Sequence, residues 1–164
     1  MNANPFTKGH RYLIENAASE CGFVYVFVLS EEKSAFSAAE RLAMVRRGTA
    51  DLPNVAVLPT GRYLVSAATF PTYFFKDKSK AAQAFCDLDI AVFANRFVPA
   101  LGITRRYVGS EPLCQTTAAY NTAMAAALPA AGCELVIVPR LEISGEPVSA
   151  SCVRALLAEG RNEE

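Results

Sequence analysis

The sequence predicts an α/β fold in which a parallel sheet is covered by helices. Runs of β-branched and aromatic residues at 23–29, 54–58, about 104–108 and 133–138 indicate strands. Most of these runs are apolar on both faces, as strands are when helices cover both sides of a parallel sheet. Helix-like stretches lie between them, so strand and helix alternate along the chain, which is the order of an α/β domain.

Local chemistry supports the positions of the predicted helices. Ser37 and Glu40 form a capping box, in which the serine oxygen accepts an amide and the glutamate reaches back to the serine amide. The stretch 59–78 fits neither the helix nor the strand period and holds two prolines, which predicts a long loop or a broken helix. The expected helices cover 9–19, 37–49, 79–97, 117–128 and 149–159.

Composition narrows the classes of function. A chain of 164 residues that is 52% hydrophobic predicts one domain. Sixteen basic and sixteen acidic residues, without a basic cluster, argue against a nucleic-acid partner. No apolar run approaches the ~20 residues of a membrane span, so no membrane partner is expected. Five scattered cysteines without a C-x-x-C pair, and one histidine, predict no metal site and mostly buried, reduced thiols in a cytoplasmic protein.

The opening NPFTKGH predicts an anion site at a helix start. A strand-to-helix turn exposes the first-turn amides and the positive end of the helix dipole. Gly9 would let a phosphate approach the backbone, and Thr7 and His10 would flank it on one face of the first turn. The alternative is a purely structural helix start. Because His10 is expected near solvent, replacing it with alanine should leave folding nearly unchanged while activity falls.

A second helix start, VSASCVRALL at 148–157, repeats this chemistry. Hydroxyls of Ser149 and Ser151, free amides and the guanidinium of Arg154 would converge on an anion. Two such sites favour a polyphosphate, although a serine cap followed by a surface arginine is the alternative. Neither G-x-x-x-x-G-K-S/T nor G-x-G-x-x-G occurs in the sequence, so the commonest other phosphate motifs are excluded.

Together these residues resemble a known superfamily. Thr7-Lys8-Gly9-His10 resembles the T/H-x-G-H motif of nucleotidyltransferases, and Ser149 through Arg154 resembles their second motif. Residues 34–58 are similar to phosphopantetheine adenylyltransferases. Nearly the whole chain resembles the citrate lyase ligases more closely, through NANPFTKGHRYL, LVSAATFPTYFFKD, ITRRYVGSEPLCQTTAAYNTAM and the final VPRLE and GEPVSASCVRALL.

The resemblance implies a Rossmann-like doubly wound parallel sheet of the nucleotidyltransferase type, with ATP at its carboxyl edge. It assigns catalytic roles at the phosphates to Thr7, His10 and Arg154, and places Ser149 and Ser151 on the β and γ phosphates. The remaining nucleotide-binding candidates are Asn4, Phe6, Gly9, Lys33, Gly109 and Glu111. A solvated loop lysine explains Lys33 equally well, and a plain turn explains Gly109.

The implied reaction joins ATP and acetate to give acetyl-adenylate and pyrophosphate, after which the prosthetic-group thiol of the citrate lyase acyl carrier subunit takes the acetyl group. Mg²⁺ is expected as the companion of ATP, without assigned protein ligands. Two alternatives remain: adenylyl transfer to a phosphopantetheine-like substrate, and a non-catalytic nucleotide-binding module.

The start of the chain carries a further expectation. A strand of about five residues should enter the NPFTKGH loop, yet only Met1 to Asn4 precede Pro5. Citrate lyase ligases carry an acyltransferase-like domain ahead of this one. We therefore expect residues 1–164 to be a single catalytic domain from the carboxyl-terminal part of a longer protein, with a shortened first strand or with its hydrogen bonds supplied by another segment.

Overall fold

A computed structural model describes residues 1–30, 34–61, 86–110 and 115–160. The chain divides into two compact units. The first unit is formed by Met1–Thr60 together with Arg140–Glu164, and the second by Gly61–Pro139. The two helix starts that the sequence singles out, NPFTKGH and VSASCVRALL, both belong to the first unit.

The first unit contains a pair of parallel strands and the helices that precede each of them. Helix α1 (Lys8–Glu20) comes before β1 (Val24–Val28), and α2 (Ala38–Gly48) comes before β2 (Val55–Pro59). The two strands pair in parallel from Val24 opposite Val55 to Val28 opposite Pro59. Alternate strand residues join the helices in one core, whose buried members are Ala3, Ile14, Val26, Val28 and Val45.

Side-chain caps fix where α1 and α2 begin. Thr7 caps α1, and its hydroxyl oxygen accepts the amide of His10 at 3.4 Å. At α2 the Ser37 oxygen accepts the Glu40 amide at 3.3 Å, and the Glu40 carboxylate accepts the Ser37 amide at 2.8 Å. The predicted capping box is therefore confirmed, and each such cap stabilises its helix by about 1 kcal/mol.

The residues before Pro5 form no strand in the described structure, but Met1 lies along β1. Its nitrogen donates to the Phe27 carbonyl at 2.5 Å, and its carbonyl accepts the Leu29 amide at 3.0 Å. This is the hydrogen-bond pattern of one residue of parallel pairing. Met1 therefore lies on the edge of β1 opposite the edge that pairs with β2.

The second unit contains another parallel pair. Helix α3, over residues 86–92, continues into a π-helical turn at Phe93–Phe97 and the single-turn α4 at Val98–Leu101. Strand β3 (Arg105–Gly109), α5 (Gln115–Ala127), a 3₁₀ turn (Leu128–Ala131) and β4 (Glu134–Val138) follow. β3 and β4 pair in parallel. The buried core comprises Ile90, Phe93, Val98, Met124, Leu128 and Cys133.

A short hairpin precedes the last helix in the first unit. Strands β5 (Glu142–Ile143) and β6 (Glu146–Pro147) pair antiparallel across the dipeptide Ser144-Gly145. Both turn residues have positive φ, 56° and 81°, as a type I′ turn requires. Helix α6 (Ala150–Ala158) follows, with Ser149 as its N-cap.

These elements confirm the α/β class and parallel pairing. Within the described ranges the strands group into three two-stranded sheets, so one continuous doubly wound sheet stays a prediction. The predicted loop or broken helix at 59–78 lies outside the described residues from position 62 onward. Among the helices described, none is long and apolar enough to cross a membrane.

The expectation of mostly buried thiols is wrong for the part of the chain that the structure describes. Cys133 is buried, Cys21 and Cys86 are half-buried, and Cys152 is exposed. The physical reason is position: Cys133 joins the apolar core just before β4, whereas Cys152 lies in the first turn of α6 on a face that meets solvent. Cys114 lies outside the described residues.

Candidate anion-binding site

Thr7 and His10 are held together at the start of α1. The Thr7 amide donates to His10 Nδ1 at 3.1 Å, and the Thr7 Oγ1 lies 2.8 Å from the same nitrogen. Because a backbone N–H can only donate, Nδ1 is the acceptor and the proton of the neutral ring lies on Nε2. His10 thus takes the place that glutamate holds in a capping box, and the opposite side of its ring carries one N–H donor.

Burial lowers the pKa of His10 from its ordinary 6.5 to about 4, and the positive charges of the Met1 amino group and Arg140 act in the same direction. The imidazole is therefore neutral at pH 7. A neutral ring agrees with the geometry, because a protonated Nδ1 could not accept the Thr7 amide. The structure corrects the expectation that alanine at position 10 leaves folding nearly unchanged. The His10 ring accepts the Thr7 amide in the capping box of α1, and alanine would remove that hydrogen bond.

The second helix start is tied to the NPFTKGH loop by Arg154. Its Nη2 donates to the Ser151 Oγ at 3.2 Å, and its Nη1 donates to the Asn4 carbonyl. Ser149 caps α6 by accepting the amide of Cys152 at 3.1 Å. A guanidinium has five N–H donors, so these two bonds orient Arg154 and leave capacity for a ligand.

Gly9 lies where the two helix starts come close. A Cβ added at this position would be 3.5 Å from the Val148 carbonyl oxygen and 3.6 Å from the Thr7 Oγ1. These are ordinary contact distances, so the surrounding protein does not require a glycine here. The absence of a side chain instead keeps open the space beside the Thr7 hydroxyl and the first-turn amides of α1, as close approach of an anion would need.

The other predicted nucleotide-binding residues are two in the NPFTKGH loop, one in the second unit and two outside the described residues. The Asn4 Oδ1 accepts the Phe36 amide at 3.1 Å, and the Asn4 carbonyl accepts the Arg154 guanidinium, so Asn4 stabilises the loop by two hydrogen bonds. Phe6 stacks on His10 with 5.8 Å between ring centroids. Gly109 ends β3 in the second unit, where its carbonyl accepts the Asn121 side-chain amide at 3.2 Å. Lys33 and Glu111 lie outside the described residues.

Sequence reasoning missed Arg140, the first residue of the first unit's second segment. Its charge acts on His10 strongly enough to contribute to the lowered pKa of that ring. The available signal was its position: Arg140 comes two residues after β4, and residues just past the carboxyl ends of parallel strands are the usual source of ligand contacts in α/β folds.

The arrangement suits a phosphate chain chemically. Two helix N-termini, the hydroxyls of Ser149 and Ser151, the Nε2–H of His10 and the guanidinium of Arg154 are all donors or positive dipoles. Within the described residues, no group of three or more His, Cys, Asp or Glu side chains could hold a metal ion.

Fold and site together define an α/β domain with a candidate phosphate-binding site formed by two helix N-termini. The particular family follows from comparison with known proteins: the family model described as the citrate lyase ligase C-terminal domain matches residues 1–164, and the chain belongs to this family.

Curated relatives agree with this membership. The chain is 44% identical to the citrate (pro-3S)-lyase ligase of Escherichia coli K12 over 164 residues, covering 97% of this chain and 47% of that protein. It is 44% identical to the Klebsiella pneumoniae enzyme over 160 residues, with 95% and 47% covered. For the Haemophilus influenzae enzyme the identity is 42%, with 97% and 49% covered. The chain thus spans about half the length of these relatives.

Proposed function

We propose that this domain activates acetate with ATP, as part of a ligase that acetylates the prosthetic-group thiol of the citrate lyase acyl carrier subunit. The observation that carries the proposal is that two helix starts, each a candidate anion site, are joined by the bond from Arg154 to the Asn4 carbonyl. Membership of the citrate lyase ligase family supports the choice of reaction. The proposal includes a Rossmann-like, doubly wound nucleotidyltransferase sheet and a cytoplasmic location.

The reaction needs alignment and charge stabilisation more than covalent catalysis. An acetate oxygen attacks the α phosphorus of ATP, and the bond from that phosphorus to the bridging oxygen breaks, releasing pyrophosphate. The carrier thiol then loses its proton to solvent, its sulfur attacks the acyl carbon, and AMP leaves. In both steps the protein holds the reacting atoms in line and stabilises the negative charge that develops on oxygen.

His10 is the proposed donor to the α phosphate. Its Nε2–H faces away from the helix cap, and Thr7 fixes both the tautomer and the ring orientation. Because the ring is neutral at pH 7, its contribution is a positioned hydrogen bond rather than a full charge. Thr7 contributes by donating its amide and hydroxyl to Nδ1, the first-turn amides of α1 add further donors to the phosphate, and Gly9 admits it.

The second helix start is the proposed binding site for the β and γ phosphates. Ser149, Ser151 and the amides of α6 supply neutral donors, and Arg154 supplies a positive charge that matches the departing pyrophosphate. Asn4, Phe6, Lys33, Gly109 and Glu111 remain proposed nucleotide contacts. Mg²⁺ would enter with ATP, bound chiefly by phosphate oxygens; no described residue is assigned to it, since the described part of the chain offers no carboxylate cluster.

Isotope exchange tests the proposal. The 164-residue chain is incubated with ATP, Mg²⁺ and radiolabelled pyrophosphate, and label entering ATP is followed with and without acetate. Exchange that depends on acetate supports acyl-adenylate formation. Exchange that requires a pantetheine phosphate instead indicates an adenylyltransferase, and ATP binding without exchange under any condition indicates a non-catalytic module. Either of these last two results overturns the proposed ligase activity.

A further inference from the structure

Gly48, the last residue of α2, is in unusually close contact with Phe6. A Cβ added at Gly48 would lie 2.3 Å from the Phe6 Cε1 and 2.8 Å from its Cδ1. Real Cβ atoms essentially never come that near to another heavy atom, so the aromatic ring occupies the space that a side chain at position 48 would fill.

No backbone conformation explains this glycine. Gly48 does not have the left-handed φ that the structure shows at Gly102, Gly132 or Gly145. A glycine within a helix also destabilises it by about 1 kcal/mol relative to alanine. The close approach of Phe6 is therefore the feature that requires glycine here.

The contact continues to the candidate catalytic ring. Phe6 stacks on His10, with ring centroids 5.8 Å apart and planes inclined by 23°. Phe6 thus contacts both the backbone of Gly48, through one edge of its ring, and the imidazole, through its face. The Thr7 bonds fix Nδ1, and the flat face of Phe6 limits how far the imidazole can tilt about that anchor.

Gly48 is itself anchored. Arg11 donates to the Gly48 carbonyl at 2.5 Å and forms a two-point ion pair with Asp51, at 2.6 and 2.7 Å. Arg11 is the neighbour of His10 in α1, so this bond ties the end of α2 to the first turns of α1. The position of the Gly48 backbone relative to the His10 ring is therefore fixed by two contacts, the Arg11 hydrogen bond and the packing against Phe6.

We propose that Gly48 is a positioning residue for His10, acting through Phe6: the missing side chain seats the Phe6 ring, and that ring holds the imidazole in the orientation that points Nε2–H at the substrate phosphate. The proposal rests on the proposed function for its catalytic consequence, but the orientation of the His10 ring can be measured without any substrate.

The test uses the fact that the chain has one histidine. Nitrogen-15 labelling of histidine gives a single imidazole, whose nitrogen signals report its tautomer and the hydrogen bond at Nδ1 that fixes its orientation. To restore an ordinary contact of 3.4 Å, a Cβ at position 48 must displace the Phe6 ring by about 1 Å. G48A should therefore shift the His10 ring signals and lower acetate-dependent exchange by roughly 10- to 100-fold, as small misplacements of catalytic groups do.

A double-mutant cycle separates positioning from general damage. F6V removes the ring atoms that would clash, so G48A made in the F6V background should add little to the changes that F6V causes alone. G22A is the matched control, because no atom lies within 4 Å of a Cβ at that glycine. It should leave the His10 signals and the exchange rate as in the unmodified chain.

The proposal is overturned if G48A leaves the His10 signals unchanged, or if its effect is equally large with F6V. Should G48A fail to fold, the nitrogen-15 shifts of F6V alone decide, since they depend mainly on the tautomer and on the Thr7 bond to Nδ1 rather than on the lost ring current: unchanged nitrogen-15 shifts exclude a positioning role for Phe6, whereas changed shifts support it. If the unmodified chain shows no exchange, the proposed function fails, while the spectroscopic comparison still tests the positioning of His10.

Discussion

Replacing Gly9 with alanine should stabilise the fold while weakening ATP binding. Gly9 is the second residue of α1, and an added Cβ would meet the Val148 carbonyl and the Thr7 Oγ1 at 3.5 and 3.6 Å, which are ordinary contacts. A compatible glycine-to-alanine change stabilises a protein by about 0.4–1 kcal/mol, chiefly by restricting the unfolded chain. For a chain of this size the melting temperature should rise by about 1–4 °C.

The same methyl group occupies the space proposed for phosphate. A phosphate oxygen must come within about 2.7–3.2 Å of a donor nitrogen, and the Cβ at position 9 would stand beside the first-turn amides and the Thr7 hydroxyl. Losing a hydrogen bond to a charged group costs about 1.5–3 kcal/mol. The dissociation constant for ATP should therefore rise roughly 10- to 100-fold.

Calorimetry measures both quantities, by thermal unfolding and by titration with ATP. Gly22→Ala is the control, since its Cβ would lie in open space outside α1 and should leave ATP affinity unchanged. ATP affinity equal to that of the unmodified chain would refute the role given to Gly9, and a lower melting temperature would refute the packing argument.

Three further predictions concern the two helix starts. His10→Asn keeps an acceptor for the Thr7 amide but removes Nε2–H, so turnover should fall about 10²–10³-fold while the free energy of unfolding stays nearly the same. His10→Ala removes the acceptor as well, so its free energy of unfolding in urea should be lower by about 1 kcal/mol. Equal stabilities of the two variants would contradict the role of His10 in the helix cap. Because folding lowers the pKa of His10 from 6.5 to about 4, the neutral ring stabilises the native state above pH 6.5, and this contribution is lost as the pH falls towards 4. Between pH 6.5 and 4 the unfolding free energy of the unmodified chain should fall by up to about 3 kcal/mol more than that of His10→Asn. Parallel pH dependences of the two proteins would contradict the lowered pKa of His10. Arg154→Ala should raise the KM for ATP more than it lowers kcat, and a collapse of kcat at unchanged ATP affinity would reverse that assignment.

Local signals in the sequence predicted the α/β class and several of the helices and strands that the structure describes. The apolar runs at 23–29 and 54–58 correspond to Val24–Val28 and Val55–Pro59, and the Ser37 cap marks the start of α2. Each depends on residues within a few positions of one another. The predicted helix at 79–97 is described from position 86 onward, and it extends through a π turn to Leu101, where the left-handed Gly102 ends it, because packing of Phe93 and Val98 in the core continues past the expected end. The Ser144-Gly145 hairpin was missed although that dipeptide is a turn signal.

The residues of the candidate site likewise include some that local sequence signals predict and some that only the folded structure reveals. Thr7, Gly9 and His10 could be predicted because helix caps and phosphate-binding turns have short motifs. Gly48 could not, since its role depends on a ring that lies 42 positions earlier in the sequence and only folding brings the two together. The neutral state of His10 was likewise inaccessible, because burial and the charge of Arg140 are properties of the folded chain.

Oxygen-18-labelled acetate provides the most direct test of acetate activation. The chain is incubated with ATP, Mg²⁺, labelled acetate and the acyl carrier thiol, and the products are analysed by mass spectrometry. If acetate attacks the α phosphorus, the oxygen it contributes stays with the nucleotide when sulfur takes the acetyl group, so the account predicts labelled AMP and unlabelled pyrophosphate. Label in inorganic phosphate with ADP as the nucleotide product, or unlabelled AMP beside acetylated carrier, would contradict it.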